Sequence, residues 1–81
     1  AEVGSPGIQI QTKTPPVNIN YELEKAYSAL LSGQSNQAIS IYKSVLSYEP
    51  GNVDALFGLA TTYHRVGQID AARPLYGKIL A

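Results

Sequence analysis

From about position 21 onward the apolar residues recur with the period of an α-helix. Leu23, Ala26, Tyr27, Leu30 and Leu31 fall at i, i+3, i+4, i+7 and i+8, which places them on one face. Asn18 or Asn20 can cap the start, and Gly33 can take the left-handed conformation that closes a helix, so the spacing predicts a helix from about Tyr21 to Ser32. Ala38, Ile41, Tyr42, Val45 and Leu46 repeat the stripe between Gly33-Gln34-Ser35 and Pro50-Gly51. Two helices joined by so short a turn must be antiparallel neighbours. A third helix runs from the cap Asn52 through Val53, Leu56, Phe57, Leu59, Ala60 and Tyr63 to Val66, and Gly67 ends it. A fourth places Ala72, Leu75, Tyr76, Ile79 and Leu80 on one face and is still running at the last residue. By analogy with the second, it begins near Ile69. Pro74 then lies inside it without a backbone donor, so a bend or an irregular first turn is expected.

The opening residues follow another pattern. Gly4-Ser5-Pro6-Gly7 and Pro15-Pro16-Val17 bracket an alternating run, Ile8-Gln9-Ile10-Gln11-Thr12-Lys13-Thr14. Alternation is a short strand signal, and a proline pair favours polyproline II and forbids a helix. Residues 1–19 are therefore expected to form an extended arm, which is either a linker or disordered tail, or a segment that docks on something.

Shifting the sequence by thirty-four residues exposes an internal repeat. Ala26 lands on Ala60, Gly33-Gln34 on Gly67-Gln68, Ala38 on Ala72, Tyr42 on Tyr76 and Leu46 on Leu80. Leu23 with Phe57, Ile41 with Leu75 and Val45 with Ile79 are close replacements. A period that spans two helices means a duplicated hairpin, with units at residues 20–52 and 53–81. The alanines are small where helices must approach closely, the glycines permit the turns, and Tyr42 and Tyr76 are large enough to fill the wedge between successive hairpins.

These positions resemble the tetratricopeptide repeat, whose thirty-four-residue pattern runs W-x2-L-G-x2-Y, A-x3-F, P. The second unit follows it as Leu56-x2-Leu59-Ala60-x2-Tyr63 and Ala72-x3-Tyr76, ending before the proline; the first keeps Ala26, Ala38-x3-Tyr42 and Pro50. In the first unit Glu22 and Lys25 stand where the family has large apolar residues, and Ala29 replaces its tyrosine. A polar outer side is what the terminal repeat of a solenoid presents, so Glu22 and Lys25 are expected to mark the amino-terminal edge. The fold class implied is all-α: two antiparallel helix hairpins, a fragment of an α-solenoid, preceded by the extended arm.

The resemblance also implies a site. In this family ligands usually lie in a concave groove lined by the first helix of each hairpin. Carried onto this chain, the groove is Leu23, Glu24, Tyr27, Leu30 and Leu31 from one unit and Phe57, Thr61, His64 and Arg65 from the next. Some relatives grip a peptide's terminal carboxylate there with Lys and Asn. Leu23, Tyr27, Phe57 and Thr61 occupy the corresponding places here, so no carboxylate clamp is expected. Leu23, Tyr27 and Leu30 also admit a plainer reading as core contacts between the two first helices, and His64 and Arg65 as solvated side chains.

Composition narrows the function. Six Lys and Arg balance six Asp and Glu, which leaves no electrostatic footprint for nucleic acid or an anionic membrane surface. No apolar run approaches the length of a membrane span, so no direct membrane insertion is expected. With no cysteine and a single histidine, neither a disulfide, a metal site nor a nucleophile paired with a base can be assembled, so no catalysis, metal or cofactor is expected. The absence of Met points to a processed or excised chain. Low charge, Ser, Thr and Gln content and a proline-bearing arm lean towards an exported or membrane-tethered bacterial protein, with no compartment fixed. The expected function is binding of a protein or peptide partner, as part of a multi-protein assembly. The alternative is self-association as a homo-oligomer through the last helix or the arm, with the groove covered by the arm.

Overall fold

The computed structural model describes residues 17–81, which form four α-helices: α1 Ile19–Leu31, α2 Ser35–Tyr48, α3 Val53–Arg65 and α4 Ile69–Leu80. The alternating run at residues 8–14 lies outside the described residues. Of the two candidate caps for α1, Asn18 acts: its side-chain oxygen accepts from the Tyr21 amide at 3.1 Å. Asn52 does the same for α3, accepting from the Ala55 amide at 2.9 Å, and its own amide group donates to the Glu49 carboxylate at 2.9 Å. The helix α1 starts at Ile19, two residues before the expected Tyr21, because the cap and not the first apolar residue of the stripe sets the boundary.

The two hairpin turns have the same construction. Gly33 and Gly67 sit at φ 83° and 84°, in the left-handed region that a side chain would strain. Around them Gln34 N donates to Ala29 O and Gln68 N to Tyr63 O, both at 2.8 Å, while Gly33 N donates to Leu30 O and Gly67 N to His64 O. This pair of reversed bonds satisfies carbonyls that each helix end would otherwise leave bare. Gln34 and Gln68 then enter the second helices at dihedrals within two degrees of one another, φ −91° and −92°, ψ 68° and 66°. The repeat seen in the sequence is thus a repeat of backbone conformation.

The hairpins are α1 with α2 and α3 with α4, joined by packing of α2 on α3 and of α1 on α3. The core contains Ala26, Ala29, Leu30, Ala38, Tyr42, Val45, Ala55 and Leu59. Ala26, Ala38, Ala60 and Ala72 are all buried, as expected where small side chains let helices approach. Tyr42 of α2 is 3 % exposed and its ring lies against Gly58 of α3. It fills the wedge between hairpins. Its counterpart Tyr76 is half-buried, since no further described helix stands against α4. Thr62 is fully buried within α3, its hydroxyl donating to Gly58 O at 2.7 Å.

At the amino-terminal edge, Lys25 pairs with Glu22 at 3.5 Å and lies 5.1 Å from the centre of the Tyr21 ring. That gives α1 a polar outer side. The helix α4 runs unbroken through Pro74. Its first turn is irregular: the Gln68 carbonyl is shared between the Ala71 and Ala72 amides at 3.2 and 3.3 Å, whereas the corresponding bonds of α1, α2 and α3 are 2.9–3.0 Å. A residue that cannot donate leaves the Asp70 carbonyl without its helical partner, and the turn before it is loosened.

Candidate functional site

A cleft of about 340 Å³ opens between α1 and α3. Its floor is Leu30, Tyr42 and Gly58, all buried. Its walls are the first helices of the two hairpins: Leu23, Glu24 and Tyr27 from α1, and Asp54, Phe57 and Thr61 from α3. Helical spacing selects them, since 23, 24, 27 and 30 share one side of α1 and 54, 57, 58 and 61 one side of α3. Leu23 and Thr61 are half-buried, whereas the rings of Tyr27 and Phe57 stand 56 % and 58 % exposed.

Gly58 determines the depth of the cleft. A Cβ built at this position would lie 2.5 Å from Tyr42 Cε1 and Oη, where ordinary contact begins at 3.4 Å. The missing side chain lets the tyrosine ring pack against α3 at the floor of the cleft. Burial raises the Tyr42 phenol above its usual value of 10.0, with smaller contributions from Tyr27 and the Asp54 carboxylate. Among the described residues its hydroxyl makes no hydrogen bond.

Six residues assigned to the groove from sequence, Leu23, Glu24, Tyr27, Leu30, Phe57 and Thr61, stand together around this cleft. Leu31, His64 and Arg65 do not line it. Leu31 is exposed on the last turn of α1, His64 and Arg65 on the last turn of α3. Arg65 reaches back across the helices, Nη1 donating to Leu30 O at 3.4 Å, and so closes the carboxyl-terminal end of the α1/α3 contact. Three lining residues were not read from sequence: Tyr42, Asp54 and Gly58. The thirty-four-residue shift contains the signal for one of them, since Gly58 falls on Glu24. Tyr42 was read only as a wedge.

A right-sized pair of helix hairpins with identical glycine turns, alanines at the close contacts and an aromatic wedge defines a helical-repeat protein. The family profile described as Tetratricopeptide repeat matches residues 29–81, and the chain belongs to that family. No curated protein and no solved structure matches the chain. The tetratricopeptide repeat is a protein–protein interaction module, generally non-catalytic, and its domains typically bind protein partners. Among the described residues no helix is long and apolar enough to cross a membrane.

Proposed function

We propose that this chain is a non-catalytic binding module whose α1/α3 cleft accepts an extended or helical segment of a partner protein within a multi-protein assembly. The observation that supports this is the pair of half-exposed rings, Tyr27 and Phe57, on opposite walls of a cleft whose floor is apolar. Aromatic side chains left in water at the rim of a concave apolar surface are suited to gripping a partner's side chain, and such residues dominate binding energy where they are found. Because both rings are exposed, replacing them leaves the core intact. Selection of a random peptide display library on the full chain should enrich apolar peptides that a Tyr27→Ser, Phe57→Ser variant of unchanged helicity does not hold. Peptides that bind both proteins equally would place the binding surface elsewhere.

A second reading is self-association, favoured by apolar side chains exposed on the second hairpin: Val66 and Ile69 at its turn, and Leu80, 86 % exposed, at the other end of α4. Sedimentation equilibrium separates the two. The binding-module reading expects a monomer with an accessible cleft, and the second reading expects an oligomer that Leu80→Glu dissociates.

A further inference from the structure

Resting on the cleft reading above, we infer that the segment it accepts carries a basic residue beside an apolar anchor: the anchor lies between Tyr27 and Phe57, and the cation between Glu24 and Asp54.

The charges within the cleft are of one sign. Glu24 and Asp54 both line it, one from each wall, and no Lys, Arg or His does. Neither carboxylate has an ion-pair partner among the described residues. Three of the described cations are engaged outside the cleft: Lys25 with Glu22 on the outer side of α1, Arg73 with Asp70 on α4, and Arg65 with the Leu30 carbonyl. Position in the first turn of α3 favours a carboxylate at Asp54 through the helix dipole, which accounts for its presence at that helix end. That explanation does not extend to Glu24, which lies mid-helix in α1.

A second observation comes from the floor. Tyr42 is 3 % exposed, lines the cleft, and its hydroxyl has no partner among the described residues. Buried hydroxyls are normally hydrogen-bonded, and this one faces the space a ligand would fill. A peptide carbonyl lying across Gly58 would accept from it. A peptide with an acidic flank would instead meet two like charges, so the arrangement also rejects acidic segments.

The test uses the full chain and capped, neutral-dye-labelled heptapeptides of the same length: a central leucine flanked by lysine, by glutamine or by glutamate, and the lysine peptide with serine in place of leucine. Fluorescence anisotropy at low salt should rank lysine above glutamine by roughly five-fold, with glutamate weakest. Asp54→Asn with Glu24→Gln should abolish that ranking, bringing the lysine, glutamine and glutamate peptides to within about two-fold of one another. Equal binding of the lysine and glutamine peptides overturns the charge selection and leaves the cleft reading standing. Equal binding of the leucine and serine peptides overturns the cleft reading itself. In the full chain carrying Ile8→Asp and Ile10→Asp, affinity for the lysine peptide should not change; a tenfold gain would make the chain's own arm the occupant and overturn an outside partner.

Discussion

Gly58→Ala is expected to destabilise the protein, although in a helix interior the change normally does the reverse. Alanine is favoured over glycine by about 1 kcal/mol at a mid-helix site. At Gly58 the new methyl would collide with three atoms of the Tyr42 side chain, Cζ, Cε1 and Oη, the last two at 2.5 Å against an ordinary contact of 3.4 Å. Tyr42 is only 3 % exposed, so its ring can move away only towards the cleft, at the cost of its packing between the hairpins. Overpacking of this kind costs about 1–3 kcal/mol, so the net loss should be about 1 kcal/mol, or roughly 4–8 °C in melting temperature for a domain of this size. Gly77→Ala is the control, since nothing lies within 4 Å of a Cβ there and φ is not positive. It should stabilise by about 1 kcal/mol. Urea unfolding followed by circular dichroism gives both values. In a Tyr42→Leu background the Gly58→Ala loss should vanish, leaving the propensity gain. If Gly58→Ala stabilises the wild-type chain as much as Gly77→Ala does, Tyr42 does not lie across α3 and the hairpin packing is wrong.

Ala38→Leu or Ala72→Leu should each destabilise by about 1–3 kcal/mol, because both sites are closed to solvent and an added isopropyl group has nowhere to go; unchanged melting would contradict the helix register. Native-state hydrogen exchange should be faster in α4 than in α2, since Pro74 removes one backbone bond and Gly77 lowers helix propensity; slower exchange in α4 would contradict this. The raised Tyr42 phenol makes a pH prediction. A group whose pKa is higher folded than unfolded contributes stability that is complete below the unfolded value and lost as pH rises through the folded one. Stability should therefore hold up to about pH 10 and fall above it, and Tyr42→Phe should remove part of that fall. An alkaline transition unchanged by Tyr42→Phe would mean the phenol is not held protonated by burial.

Helix positions, turns and the repeat were legible in the sequence because each rests on local chemistry. The two glycines had to be left-handed, the two asparagines could cap, and alanines at a fixed period could only be close contacts. Register between the helices was legible through the duplication, which is why Leu23, Tyr27, Phe57 and Thr61 come together. What the stripe pattern hid was the contribution of the second helix and of a missing side chain. Tyr42 reaches the cleft from α2, a helix that the groove assignment left out, and Gly58 matters through space it does not occupy. Leu31, His64 and Arg65 were assigned by repeat position alone. At the last turns of α1 and α3 the helices are bridged by Arg65 itself, so these residues stand beyond the end of the cleft. For Pro74, sequence identified the weak point but not how the helix accommodates it, because sharing of the Gln68 carbonyl depends on backbone freedom at the helix start.

The central claim is that the α1/α3 cleft is the binding surface, and amide shift mapping by NMR tests it most directly. The 15N-labelled full chain is titrated with the most enriched peptide from the display selection. The amides of Leu23, Tyr27, Phe57, Gly58 and Thr61 should shift together and saturate with one dissociation constant, while Lys43 and Lys78, exposed on α2 and α4, should stay in place. Shifts concentrated around Val66, Ile69 and Leu80, with the cleft amides unmoved, would contradict the account.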